Sequence, residues 1–238
     1  MIDFHSHILP QMDDGSRSAE ESIALLRESA RQGVTTICAT PHFYAEENPP
    51  QVFLQRRREA AKRLTDALPQ GEVTRFSPRI VLGAEVHYFT GISHSEEILC
   101  LRLGRTRVLL VEMPFERWNH RMIDEILRLN ERQDIQVILA HIERYFSFTK
   151  RDTIEGLLGS GILLQSNAEF FLRRPGNRKA LQMLDRGEIS VLGSDCHRMD
   201  TRPPRLGEAA EVIEKKLGRQ PLDRMEWIAG DLLEGGKA

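Results

Sequence analysis

The stretch GSDCHRMDTRPP, Gly193 to Pro204, supports two incompatible chemistries. Cys196 lies six residues before Arg202, the spacing at which a thiolate could attack phosphorus while an arginine holds the phosphoryl oxygens. Asp195 and His197, one residue apart, could instead be metal ligands. A similar pair opens the chain, His5 and His7 in DFHSH. In extended backbone residues i and i+2 face the same way, so His5 and His7 would share a side and Ser6 would turn from it. If strand geometry persists through residue 197, Asp195 and His197 also share a side and Cys196 turns away. A thiolate nucleophile needs a cradle of backbone N–H groups, usually a helix N-terminus. The run HRMDT has no glycine, and the two prolines after Arg202 disfavour a helical conformation there. Cys38 and Cys100 have no better claim, so the residues favour the metal chemistry.

The elements that must position these side chains alternate. MIDF reads as a strand, and SAEESIALLRESARQG as a helix with a Ser18/Glu21 capping box and a Gly33 stop. VTTICAT is the second strand, and Pro50 to Leu68 the next helix. RIVLGAEV and RVLLVEM are the third and fourth strands, followed by a helix over His120 to Arg132. IQVILA is the fifth strand, then a helix near 152–159; GILLQSN is the sixth, then a helix at about 176–186. ISVLGS is the seventh, with a last helix over Leu206 to Leu217. Strands apolar on both faces, alternating with helices, fit a parallel sheet covered by helices. Seven strands without a glycine-rich dinucleotide loop point to a barrel rather than an open sheet.

Placed on these elements, the unusual residues fall at strand ends. His5, His7 and Asp14 follow the first strand, His42 the second, and Glu85 ends the third. Glu112 ends the fourth, His141 the fifth, and Asp195 and His197 the seventh; the sixth ends in QSNAEF without a ligand. The C-terminal strand ends of a parallel barrel converge on one face, where active sites sit. A lone histidine there is usually an ordinary loop residue. A carboxylate at the end of an apolar strand is costly unless something pairs it, which makes Glu85 and Glu112 the informative pair. His87, His94 and His120 lie outside the pattern and read as ordinary residues. Nine candidate ligands exceed one ion's needs, so a cluster of two or three divalent ions is expected. Histidine with carboxylate suits manganese, iron or zinc better than magnesium or calcium. Such a cluster would attract an anion and generate hydroxide at neutral pH.

Composition sets the remaining bounds. A chain of 238 residues suits one large domain, so 1–238 is read as a single unit. The net charge of −2 gives no basic field for nucleic acid. No apolar run reaches a membrane span, and MIDFHSH has no signal-peptide pattern. Three widely spaced cysteines read as free thiols of a cytoplasmic protein.

The motifs DFHSHILPQMDDGS, TPHF, LGAEV, LLVEMP, LAHIERY and SDCHRMDTRPP resemble, in order, those of the polymerase-and-histidinol-phosphatase (PHP) superfamily. They look most like the bacterial metal-dependent protein-tyrosine phosphatases of the CpsB/CapC/YwqE type, over residues 1 to about 205. The resemblance implies an α/β fold, a distorted (β/α)7 TIM-like barrel of the PHP type, with manganese the expected ion and iron or zinc as alternatives. It implies one ion among His5, His7, Glu85 and Asp195, a second among Glu85, Glu112 and His141, and a third among Asp14, His42 and His197. Glu85 would bridge, and Arg144 and Arg202 would hold the substrate phosphate. The implied activity is hydrolysis of phosphotyrosine by a metal-bound hydroxide. The implied partner is the phosphotyrosine tail of a bacterial tyrosine kinase controlling capsule or exopolysaccharide synthesis. Histidinol phosphatase, or another small-molecule phosphomonoesterase, is the alternative within the superfamily. A non-catalytic module on a decayed barrel fits less well, because decay would remove ligands; a nuclease lacks a basic track.

Overall fold

The computed structural model describes residues 1–68 and 77–235. Among the described residues, nine parallel strands build the core: β1 (Ile2–Ser6), β2 (Thr36–Ala39), β3 (His42–Phe43), β4 (Arg79–Leu82), β5 (Glu85–His87), β6 (Val108–Glu112), β7 (Gln136–Leu139), β8 (Leu163–Asn167) and β9 (Val191–Gly193). They form seven staves, because two staves are each broken into two segments. The second strand expected from sequence is β2 plus β3, split at Thr40 and Pro41; the third is β4 plus β5, split at Gly83 and Ala84. β2 pairs with β4 and β3 with β5, and the Gly83 and Glu85 N–H groups donate to Ala39 O and Pro41 O across the break (2.9 and 3.1 Å).

The ring closes between the first and last staves. Ser6 bridges Cys196, Asp195 N donates to His5 O (2.7 Å), and His7 N donates to Cys196 O (2.9 Å). Glycine is required at this seam: a Cβ on Gly193 would lie 2.5 Å from His5 Cβ and 2.7 Å from Gln165 Nε2. The barrel read from the sequence is therefore present, with its first stave beside its last.

The helices are α1 (Ala19–Arg31), α2 (Pro50–Ala67), α3 (His120–Glu131), α4 (Arg151–Gly159), α5 (Ala168–Leu172), α6 (Gly176–Asp185), α7 (Leu206–Leu217) and α8 (Gln220–Glu234). Ser18 Oγ accepts from Glu21 N as a capping residue should, but Glu21 reaches back to Arg17 N, so the capping box is only half formed. Gly33 follows α1 at φ +83°, a conformation that glycine adopts without strain. α5 and α8 were not expected from the sequence. α8 carries Pro221 in its first turn and buries Leu222, Met225 and Ala229 along one face.

Strand parity separates two apolar layers. Leu109, Val111, Val137 and Leu139 join a large cluster with helix residues such as Leu26, Ile126 and Leu157. Val108, Leu110, Ile138, Ala140 and Val191 join a smaller cluster whose helical members all come from α8. That helix thus packs against strand-start residues, at the end of the barrel opposite the strand C-termini. Glu112 shares the parity of Val108 and Leu110, so it emerges above the barrel's own core. No helix among the described residues is long and apolar enough to cross a membrane. Cys38 and Cys196 are buried and Cys100 exposed, all three as free thiols.

Candidate metal centre

The C-terminal ends of β1 and β6, the first residues of β3 and β5, and the segments after β7 and β9 bring eight of the nine candidate residues into contact, and the loop after β1 adds Asp14. His5 and His7 face the same way, as their spacing requires, while Ser6 Oγ turns to Cys38 O (2.7 Å). Asp195 and His197 arrive differently from the strand-based expectation. β9 ends at Gly193, and Asp195 is left-handed at φ +51°. His141 is left-handed too, at φ +31°. Such conformations cost about 1–3 kcal/mol each and persist where surrounding contacts enforce them.

The centre of the group is an unusual atomic arrangement. His5 Nε2 and His7 Nε2 lie 3.1 Å apart. Each ring is held by its other nitrogen. His5 Nδ1 donates to Gln165 Oε1 (3.1 Å), whose identity as oxygen is fixed because it also accepts from His141 N (2.7 Å). His7 Nδ1 donates to the Asp13 carboxylate (2.7 Å). With Nδ1 of each ring engaged, the two Nε2 atoms face each other, an arrangement that repels unless a proton or a metal cation stands between them. Glu85 Oε2 lies 3.2 and 3.4 Å from these two nitrogens, and Asp195 Oδ1 3.6 and 3.4 Å. Ligand atoms about 2.0–2.2 Å from one ion sit roughly 2.9–3.6 Å from one another, so His5, His7 and Asp195 fit a common ion, while Glu85 beside them groups more closely with His42 and Glu112.

Glu85 reaches beyond that group. Its Oε1 accepts from His141 Nε2 (2.8 Å), which also lies 3.2 Å from Glu112 Oε1. Its Oε2 lies 2.9 Å from His42 Nδ1, yet neither atom has a hydrogen bond of acceptable geometry among the described residues, nor does His141 Nδ1. Buried polar atoms left this way fit a missing partner. A third constellation joins Asp14 Oδ1 to His197 Nε2 (3.3 Å) and His42 Nε2 (3.5 Å), and the His7 ring lies 4.0 Å from that of His197. Asp14 is the exposed member, with its side chain 67% accessible.

Charge follows geometry. Burial alone would raise the Glu85 carboxyl, but His5, the hydrogen bond from His141 and the adjacent His42 hold it well below the usual range. Glu112 is likewise brought down to about 2, mainly through His141 and His87 against the effect of burial. Burial opposes the charge on His141, yet Glu112 and Glu85 lift it to about 9. His197 is pushed down to about 4 by burial, then by His7 and Arg202. The pocket thus satisfies its carboxylates with protons on histidine, a charge that cations can replace.

Arg144 and Arg202 flank the group. Both donate to Asp195 Oδ2, Arg202 at 2.8 Å, while Oδ1 of the same carboxylate faces the His5/His7 pair. Among the described residues neither is paired with Glu143 or Asp200, the neighbours that would merely pin a loop. Both stay partly open, at 32% and 37% side-chain exposure. Cys196 is excluded as a nucleophile: it is fully buried in the core, and burial pushes its thiol up to about 12.

Sequence reasoning missed the supporting residues. Asp13 takes His7 Nδ1, His42 N (3.0 Å) and Gly15 N (3.0 Å), and a Cβ on Gly15 would lie 2.3 Å from His7 O. The MDDGS run held this signal, but only Asp14 was drawn from it. The sixth strand, which lacks a ligand, supplies Gln165 and Asn167; Asn167 Nδ2 donates to Asp195 Oδ2 (2.7 Å). His87, read as ordinary, bonds Glu112 Oε2 (3.1 Å) at the rim. His94 lies in a short 3-10 turn with Ser93, and His120 starts α3, both apart from the group.

A family model described as capsular polysaccharide synthesis, CpsB/CapC, matches residues 1–230. The tyrosine-protein phosphatase CpsB of Streptococcus pneumoniae is 34% identical, over 92% of this chain and 91% of that protein. The tyrosine-protein phosphatase YwqE of Bacillus subtilis is 30% identical, over 92% of this chain and 86% of its own. One of the solved YwqE and CpsB structures, described as unique metal-dependent tyrosine phosphatases, matches at a TM-score of 0.84 and 26% identity. That match covers 100% of this chain and 96% of the other. By its sequence along almost the whole length and by its barrel, the chain belongs to the CpsB/CapC family.

Proposed function

We propose that this chain is a metal-dependent protein-tyrosine phosphatase whose nine candidate ligands, eight at or next to strand segments and one in the loop after β1, hold two or three divalent ions. His5, His7, Glu85 and Asp195 would hold one, Glu85, Glu112 and His141 a second, and Asp14, His42 and His197 a third. Manganese is the expected metal, on the histidine-rich donor set and the family resemblance, with iron or zinc as alternatives. The observation that carries this is the pair of Nε2 atoms 3.1 Å apart facing the Asp195 carboxylate, beside two partly open arginines. When bound, the ions would supply an acidified water and positive charge against the phosphoryl oxygens.

The chain's own residues do the rest. Arg144 and Arg202 hold the phosphoryl group in a planar, two-pronged grip, exchanging Asp195 Oδ2 for substrate oxygen. Glu85 keeps the first two constellations in register. Phe115, 46% exposed and lying 5.9 Å from the His141 ring in near-parallel, offers a face for the tyrosyl ring. Tyr44 lines the opposite rim, 5.6 Å from His42 and 5.3 Å from His87. An exposed aromatic platform favours an aryl phosphate on a protein over a small amine phosphate such as histidinol phosphate.

The substrate is proposed to be the phosphotyrosine tail of a bacterial tyrosine kinase that controls capsule or exopolysaccharide synthesis. The setting would be the cytoplasm, where the three thiols stay reduced. Residues 1–238 would act as one domain, since α8 seals the barrel that carries the site. The test removes metal with a chelator and adds back manganese, iron, zinc or magnesium. Turnover of a phosphotyrosine peptide, a phosphoserine peptide and histidinol phosphate is then compared. Metal-restored preference for phosphotyrosine is expected; preference for histidinol phosphate would transfer the assignment to that activity.

A further inference from the structure

A cleft of about 600 Å3 opens directly beside the two phosphate-facing arginines. Its wall runs from Arg144 and Arg202 to Arg173, Arg174 and Arg205, and it holds only two acids, Glu143 and Glu169. The chain as a whole carries a net charge of −2, so this concentration of guanidinium groups is local.

The acids neutralise it only in part, because one carboxylate, Asp195, serves both Arg144 and Arg202 and another, Glu169, serves both Arg173 and Arg205. Glu143 is turned inward, accepting from Ser166 Oγ and Asn167 N. Glu169 is shared between Arg173 (2.8 Å) and Arg205 (3.0 Å), and Arg205 is further tied to Glu208 (2.6 Å). Arg174 is exposed and has no ion pair or hydrogen bond among the described residues. Arg173 keeps 77% of its side chain accessible. α6 begins at Gly176 on the same wall, with no side-chain cap and no acid in its first turn, so its partial positive end adds to the field. Like charges held together at this density repel, and a bound anion relieves that repulsion.

We propose that the cleft is a second subsite, for an anionic group on the same phosphopeptide, with Arg174 and Arg173 as its anchors. This deepens the phosphotyrosine reading and rests on it. The phosphotyrosine occupies Arg144 and Arg202, and the neighbouring acidic side chain or second phosphotyrosine occupies Arg173 and Arg174. A carboxylate and a phosphate share the required chemistry, negative oxygens matched to guanidinium forks.

The experiment uses the metal-loaded full chain and four substrates: p-nitrophenyl phosphate, and phosphotyrosine peptides flanked by glutamines, by glutamates or by a second phosphotyrosine. Wild-type protein is expected to favour the acidic peptides over the glutamine peptide by about tenfold in kcat/KM, mainly through KM, with the preference shrinking as salt rises. The Arg173→Ala/Arg174→Ala variant should lose that preference. Its turnover of p-nitrophenyl phosphate, which is too small to extend from Arg144 and Arg202 to Arg173 and Arg174, should match wild type. The two acidic peptides, compared with each other, tell carboxylate from phosphate. Equal kcat/KM for glutamine and acidic peptides in wild type, or a preference that survives the double substitution, would overturn the subsite alone. Absence of turnover on every substrate, with metals bound, would overturn the phosphatase reading and the subsite with it.

Discussion

Arg144 and Arg202 donate to one atom, Oδ2 of Asp195, while Oδ1 of that carboxylate faces His5 and His7. Asp195 therefore joins the candidate ligand group to the edge at which we propose a phosphate binds. Burial would raise its pKa, but His5, His7 and Arg144 hold it well below the ordinary range. It stays charged, and the two arginines stay oriented toward the place where a phosphoryl group would enter.

Replacing either arginine by alanine should lower kcat/KM on an aryl phosphate by about ten- to a hundredfold. The basis is a charge-assisted hydrogen bond of about 1.5–3 kcal/mol. Asn167 still holds Asp195 Oδ2 at 2.7 Å, so bound metal and melting temperature should barely change. Inhibition by inorganic phosphate should weaken in both variants. Loss of metal from Arg202→Ala with intact phosphate inhibition would make it a loop-pinning residue instead.

Glu85→Gln removes a charge shared among four histidines: His5, His7, His42 and His141. Metal content should fall by more than it does in His197→Ala, whose ring lies at the outer, Asp14 side of the group. Activity should drop by at least about a hundredfold. Full metal occupancy in Glu85→Gln, read by elemental analysis, would rule out bridging.

Asp13→Asn tests a residue that acts only through others. The buried carboxylate fixes the His7 tautomer and accepts from His42 N. An amide can turn its NH2 toward His7 Nδ1 and undo that tautomer. Metal affinity should weaken by about 10–100-fold, measured by competition with a coloured chelator. A stability loss with unchanged metal affinity would make Asp13 a purely structural residue.

Cys196→Ala should keep most aryl-phosphatase activity, and a strong chelator should abolish activity in both proteins. The thiol is fully buried, so it has no path to a substrate. Inactivation by the substitution with metal content unchanged would restore a role for the thiol.

Leu222→Ala empties a buried position on α8, where the helix closes the barrel's strand-start end. The expected cost is about 2–5 kcal/mol, read as a lowered denaturant midpoint in a single transition. A shift below about 0.5 kcal/mol, or a separate transition for the helix, would argue against one cooperative unit.

The sequence by itself determined the barrel and most of the ring of candidate ligands. Apolar strands bounded by helices leave few architectures, and a carboxylate ending such a strand, as Glu85 and Glu112 do, signals an expected partner because unpaired burial is costly. The i, i+2 rule sufficed for His5 and His7, which lie at the end of a regular strand. It did not suffice for Asp195, whose left-handed backbone lies beyond β9 and is set by its bonds to His5 O, Arg144 and Arg202. Only the tertiary structure decided the supporting shell of Asp13, Gln165, Asn167 and His87. Each acts on a partner that no local pattern names: Gln165 meets His5 across the seam of the barrel, and His87 meets Glu112 across paired strands. The basic cleft has the same origin. Arg144, Arg173 and Arg202 follow different strands, and they become one surface only because a closed barrel brings those strand ends to a common rim.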